Sequence, residues 1–112
     1  MLPSLVIIRE YITEDGTSSF SKWFNKLNSQ AAAKVTVTLS RMEAGNLSNV
    51  KWFKGIGEYK INWGPGYRIY LAKDGDKLII LFGGGTKKSQ VRDIEKAVQH
   101  HKEYKKRKKS KD

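Results

Sequence analysis

Cysteine is missing from all 112 residues. Disulfides and thiolate metal sites are thereby excluded, and a reducing cytoplasm is the compartment that suits such a chain. No apolar run approaches the roughly 18 residues that a membrane-spanning helix needs. The apolar start Leu5-Val6-Ile7-Ile8 gives way at once to Arg9-Glu10, too soon for the core of a secretory leader. Histidine is scarce: His100 and His101 adjoin, so on a helix they diverge by about 100° and form no shared metal site unaided. No Ser–His–Asp set and no convincing pair of carboxylates can be assembled. Acids are scarce too, with 11 Asp and Glu against 22 Lys and Arg, a net charge of +11.

Part of that excess lies in a tail. Residues 102–111 hold seven bases and one acid, and the chain without residues 102–112 still has 15 bases against 9 acids. Such a balance favours nucleic acid, a ribosome or an acidic protein through counterion release and steering. The length suits one domain, placed at residues 1–101, followed by a basic tail, 102–112, expected to fray.

The most informative stretch is GEYKINWGPGYRIYLAKDGDKLIILFGGG, residues 57–85. It predicts three consecutive antiparallel strands at 58–63, 67–73 and 77–82. Gly64-Pro65-Gly66 makes one tight turn, and Asp74-Gly75 the other, as a two-residue hairpin. Period-two alternation puts Tyr59, Ile61, Trp63, Tyr67, Ile69 and Leu71 on one face. The opposite face carries Glu58, Lys60, Asn62, Arg68, Tyr70 and Ala72. The first face needs a cover. The second, rich in cations and aromatics, is expected to stay open as a basic groove for a polyanion.

Upstream, residues 5–12 read as a strand. Phe20, Trp23, Phe24 and Leu27 recur at helical spacing over 19–27, with Thr17 or Ser18 as N-cap. Residues 30–44 form a second helix after Asn28-Ser29, with Ala32, Val35, Leu39 and Met42 inward and Gly45 ending it. These two helices pair to cover the apolar face. Residues 46–56 read as a loop in which Val50, Trp52 and Phe53 fold back and Lys51 and Lys54 extend the basic face. Gly83-Gly84-Gly85-Thr86-Lys87-Lys88 lacks the spacing of a phosphate loop, which excludes that mode of nucleotide binding. The glycines instead turn the chain from sheet to helix. The last helix is expected at 89–104, with Val91, Ile94, Val98 and His101 inward.

The chemistry open to such a surface is cation-based. RNA can be cut by its own 2′-hydroxyl if the protein takes a proton, stabilises the phosphorane and protonates the 5′-oxygen. A lysine crowded by cations is driven towards its neutral, basic form, and Lys60 near Arg68, Lys87 and Lys88 is such a neighbourhood. From the residues alone, catalysis and plain phosphate positioning are equal readings.

Two ordered segments carry a resemblance. Gly57-x-Tyr59-Lys60-Ile61 with Gly64-Pro65-Gly66-Tyr67-Arg68-Ile69-Tyr70 is the first. Leu81-Phe82-Gly83-Gly84-Gly85-Thr86-Lys87-Lys88-Ser89-Gln90 with Asp93-Ile94-x-Lys96-Ala97 is the second. With Gly45-Asn46-Leu47 and Val50-Lys51 before them, they resemble the RelE/ParE superfamily of bacterial toxins, in its HigB-like "addiction module killer protein" group, over roughly residues 20–100. The resemblance implies an α+β fold of order β-α-α-β-β-β-α, with a curved, mostly antiparallel sheet and helices on one face. It implies the toxin of a type II toxin–antitoxin pair, a ribosome-dependent mRNA endoribonuclease that inhibits translation in the cytoplasm. A helix-turn-helix antitoxin would be its partner, with no cofactor, metal or membrane. By position Lys60, Arg68 and Lys88 would be catalytic, and Lys54, Asn62, Tyr70, Lys87 and Gln90 would bind RNA, with Tyr70 stacking on a base. Asn62 stands where some members carry a second lysine, and Ile94 near where some carry a tyrosine. Tyr59, Tyr70 and Tyr104 remain as substitutes. The alternatives are a ParE-like inhibitor of DNA gyrase and a noncatalytic basic nucleic-acid-binding domain.

Overall fold

The computed structural model describes residues 5–110. Its elements are β1 (Ile7–Glu10), α1 (Ser19–Phe24), α2 (Ser29–Glu43), β2 (Val50–Phe53), β3 (Ile56–Ile61), β4 (Tyr67–Lys73), β5 (Leu78–Thr86) and α3 (Gln90–Ser110), with one 3-10 turn, Lys87–Ser89, before α3. The architecture is α+β, built on a five-stranded mixed sheet of order β1-β5-β4-β3-β2. β1 runs parallel to β5 and the other three pairs are antiparallel. No helix among the described residues is long and apolar enough to cross a membrane.

The caps follow their residue types. Ser18 accepts from the Ser21 amide at 3.0 Å and Asn28 from the Ala31 amide at 2.9 Å, each satisfying one free N–H at a helix start. α2 ends with Gly45 at φ 91°, whose amide bonds the Met42 carbonyl while that of Asn46 bonds Arg41. This left-handed closure favours glycine.

One core lies between the sheet and α1 with α2. It joins Phe20, Ala31, Val35 and Met42 to Tyr59, Ile61, Tyr67, Ile69, Leu71, Ile79 and Leu81, so the alternation assigned that face correctly. The inward stripe of α2 is Ala31, Val35, Thr38 and Met42. It is thus turned slightly from the expected one, leaving Ala32 and Leu39 half-buried.

Four expectations are corrected. The sequence order gains a strand, because residues 46–56 contain the β2–β3 hairpin and are not a plain loop. Phe53 pairs with Ile56, and the two turn residues Lys54 and Gly55 have φ 53° and 81°, the double positive φ of a type I′ hairpin. Asp74-Gly75, by contrast, is no two-residue turn: the Asp74 amide bonds the Leu78 carbonyl across a longer loop.

The glycine run is strand rather than a sheet-to-helix turn. β5 pairs through Gly83–Thr86 with Tyr67–Tyr70, after a bulge between Tyr70 and Leu71. Glycine is required there by close packing. A Cβ on Gly84 would lie 2.4 Å from the Trp23 ring, and one on Gly85 would meet the Asp93 carboxylate.

The fourth correction decides the site. The second sheet face is not open, because α3 lies across it. A second core joins Tyr11, Ile56, Tyr70, Ala72, Ile80 and Phe82 to Ala97, with Ile94, Val98 and Tyr104 around it. Helices therefore cover both faces. Val91, expected inward, is 74% exposed, while Ala97 and His100 are buried.

α3 runs on through the basic stretch to Ser110; residues 111–112 lie outside the described residues. Asp74 holds it by accepting from Tyr104 Oη at 2.5 Å and from Lys108 Nζ at 2.5 and 2.6 Å. Arg107 adds a bond to the Ile12 carbonyl at 2.6 Å.

Candidate functional site

Where β3 ends and β4 begins, α3 no longer covers the sheet. Lys60 and Arg68 face each other across the two strands in register. The Gly64-Pro65-Gly66 turn closes that end, and Lys87 arrives from the far side of β4 at the end of β5. Lys60, Asn62, Trp63, Arg68 and Lys87 together line an open depression of about 350 Å³, within the range of about 300–1,000 Å³ typical of small-ligand sites.

Arg68 is the anchored member. Its side chain is buried, its Nη1 donates to the Gly66 carbonyl at 3.3 Å, and its Nε sits 3.7 Å from Glu58 Oε2. Glu58 is buried as well and accepts from Gln90 Nε2 at 2.9 Å. A guanidinium held on two sides presents its charge in a fixed direction, as electrostatic stabilisation of a developing anion requires. Lys60, Asn62 and Lys87 are exposed and supply mobile donors around it. Trp63 forms one wall, half-buried, stacked on Tyr67 at 6.2 Å and approached by Lys34 Nζ at 5.7 Å.

The depression thus gathers Lys60, Asn62, Arg68 and Lys87 and leaves out the other four residues singled out from the sequence. Lys88 is exposed on the 3-10 turn but does not line it. Lys54 occupies the β2–β3 turn, at the other end of β3, roughly 20 Å away along six residues of strand. Gln90 is turned to Glu58. Tyr70 has no exposed surface, so it cannot stack on a base. Burial, reinforced by Glu58 opposite it, pushes its phenol well above the ordinary range, and its hydroxyl has no hydrogen-bond partner among the described residues.

The substitute tyrosines fare no better. Tyr59 is buried in the other core. Tyr104 bonds Asp74 at the far end of α3, and burial together with that bond pushes its phenol up to about 12. The residues missed from the sequence are Glu58, the partner that fixes Arg68, and Trp63, assigned to the apolar face. Trp63's place beside the glycine–proline turn was the available signal.

Among the described residues no group of three or more His, Asp or Glu is placed to hold a metal ion. The chemistry this arrangement can perform is recognition and charge stabilisation of an anion.

No model of a known protein family matches the chain. It is 40% identical over 83 residues to a protein of Haemophilus influenzae described as uncharacterized, an alignment covering 72% of this chain and 84% of that protein.

Proposed function

The chain belongs to one family with that Haemophilus influenzae protein, and we propose that it is the toxin of a type II toxin–antitoxin pair, an endoribonuclease acting on messenger RNA at the ribosome. The observation that carries this is the convergence of Lys60, Asn62, Arg68 and Lys87 on one depression beside the half-buried Trp63 ring. Three cations around a space suited to a small ligand fit a phosphodiester, and the ring offers a platform on which a neighbouring base can stack.

In this mechanism the RNA 2′-oxygen attacks the adjacent phosphorus. The P–O5′ bond breaks, leaving a 2′,3′-cyclic phosphate and a free 5′-hydroxyl. Arg68, braced by Glu58 and Gly66, stabilises the phosphorane. Lys60 takes the 2′-hydroxyl proton or shares in charge stabilisation. Lys87, which lines the depression where Lys88 does not, supports and protonates the departing oxygen. Asn62 orients the sugar–phosphate. An antitoxin with a helix-turn-helix domain would be the natural partner, an acidic or apolar segment of it covering the depression.

The test is 5′-end mapping of messenger RNA in a translating extract. New ends inside coding regions, absent without ribosomes, are expected. Lys60→Ala and Lys87→Ala should each lower their yield by about 10²-fold, the usual scale for removing one charge-stabilising donor. Messenger RNA that stays intact during active translation refutes the proposal, and a DNA supercoiling assay then tests the gyrase-directed alternative.

A further inference from the structure

A second basic concavity lies on the other side of Thr86. It is a groove of about 420 Å³ between α1 and α3, floored by Gly83–Gly85 of β5. Its walls carry Lys22 from α1, Lys26 from the turn that follows it, and Arg92 and Lys96 from α3. All four are exposed, and none is in an ion pair among the described residues. The one carboxylate in the walls, Asp93, already accepts from the Ser89 hydroxyl at 2.5 Å. On α3 the two bases are four residues apart, a rise of about 6 Å. A positively charged groove of this kind can track the backbone of a single strand.

The floor has a further property. β1 pairs with β5 only over Leu78–Leu81, so residues 82–86 have no strand neighbour on that side among the described residues. Ser19 and Trp23 cover one face of Gly83 and Gly84, so this edge opens only into the groove between its basic walls. With four bases and one already bonded carboxylate in those walls, the groove suits a polyanion that engages side-chain tips. The groove also adjoins the depression: Thr86 lines the one and Lys87 the other, and Gly85 in the floor pairs with Arg68.

We infer that this groove is a second RNA subsite, holding the sugar–phosphate backbone of the single strand that flanks the phosphate bound beside Lys60 and Arg68. The assignment rests on the RNA-directed reading above. The groove sets how many nucleotides the protein grips and supplies up to four phosphate contacts without reading bases.

The test measures binding of 2′-O-methyl oligoribonucleotides, which cannot be cut by 2′-hydroxyl attack, by fluorescence anisotropy across a salt series. Lengths of about 4 and about 10 nucleotides fall within the usual range of single-strand sites, about 4–16. Wild-type protein should favour the longer strand. With about 0.7 lost from the log–log salt slope per phosphate contact, K22Q/K26Q/R92Q/K96Q should flatten the slope for the longer strand by about 3, abolish the length preference and still bind the short strand. If that variant is unfolded by circular dichroism, K22Q/K26Q and R92Q/K96Q separately should each flatten the slope by about half as much.

K102Q/K105Q/K106Q/K109Q removes the same charge from the far end of α3 and should leave the length preference intact. Failure of the wild type to bind RNA, an unchanged slope in the groove variant, or equal loss in the control overturns the inference. So does binding of a polyglutamate peptide in place of RNA, which assigns the groove to an acidic protein. Cleavage is not read, so a protein that fails the ribosome assay yet shows the slope loss refutes the nuclease alone. One that cuts messenger RNA with an unaltered slope refutes the groove alone.

Discussion

Arg68 can be tested as a structural and as a chemical residue separately, because its partner is known. Two unit charges 3.7 Å apart attract by about 4 kcal/mol at an effective dielectric of about 20. Most of that offsets desolvation, since both side chains are buried. Removing one partner leaves the other charge buried and uncompensated, at a cost of about 3–5 kcal/mol. Arg68→Ala should therefore lower the urea-derived stability by that amount. Near 100 residues each kcal/mol moves Tm by about 4 °C, so a fall of roughly 12–20 °C is expected.

Replacing both partners with apolar residues of similar length is a different perturbation, often neutral. Glu58→Leu with Arg68→Met should unfold within about 1 kcal/mol of the wild type, yet show no RNA cleavage because no guanidinium remains beside Lys60. An Arg68→Ala protein as stable as the wild type would refute the buried-pair reasoning. A double variant that is stable and still cuts RNA would remove Arg68 from the mechanism.

Three further outcomes are expected. Gly84→Ala drives a methyl into the Trp23 ring and should cost about 1–3 kcal/mol in urea unfolding; in a Trp23→Ala background the added cost should shrink. Burial holds the imidazoles of His100 and His101 below their ordinary pKa, so both prefer the neutral form in the folded state. Their contribution is then complete above the unfolded value near 6.5 and is lost as pH falls below it through the depressed folded values. The urea midpoint should drop between pH 7.5 and pH 5.5, less steeply in His100→Gln, and an equal slope in that variant counts against the assignment. Lys108→Ala breaks an exposed pair and should change stability by less than about 1 kcal/mol, while amide hydrogen exchange in the wild type shows α3 protected past Tyr104 in place of a frayed end.

Much of this architecture can be read from residue order, and the gaps have physical causes. Strand alternation placed Tyr59, Ile61, Ile69 and Leu71 together, since side-chain direction in a strand is local. Ser18, Asn28 and Gly45 mark helix ends because capping is local too. The β2–β3 hairpin escaped notice because Val50-Lys51-Trp52-Phe53 does not alternate and a lysine occupies a left-handed turn position. Gly83–Gly85 reads as a break, yet it is strand because Trp23 and Asp93, distant in the chain, need its missing side chains.

Within the site, Lys60, Asn62, Arg68 and Lys87 were recognisable as cations and amides near one turn. The burial of Arg68 and Tyr70 was not, because it depends on which face α3 chooses. No periodicity within β4 reports that choice.

The parallel pairing of β1 with β5 has a bearing on how the chain is made. Ile7–Glu10 meets Leu78–Leu81, so the first strand has no strand partner until most of the polypeptide exists. Contacts of such wide separation form late, after loop closure over the intervening chain. During synthesis the nascent N-terminal segment must wait, its apolar Val6 and Ile8 unsheltered by the sheet. Lys87 follows β5 directly, so the assembled depression and the completed sheet arrive together. A polypeptide released early would carry Lys60 and Arg68 but no finished depression.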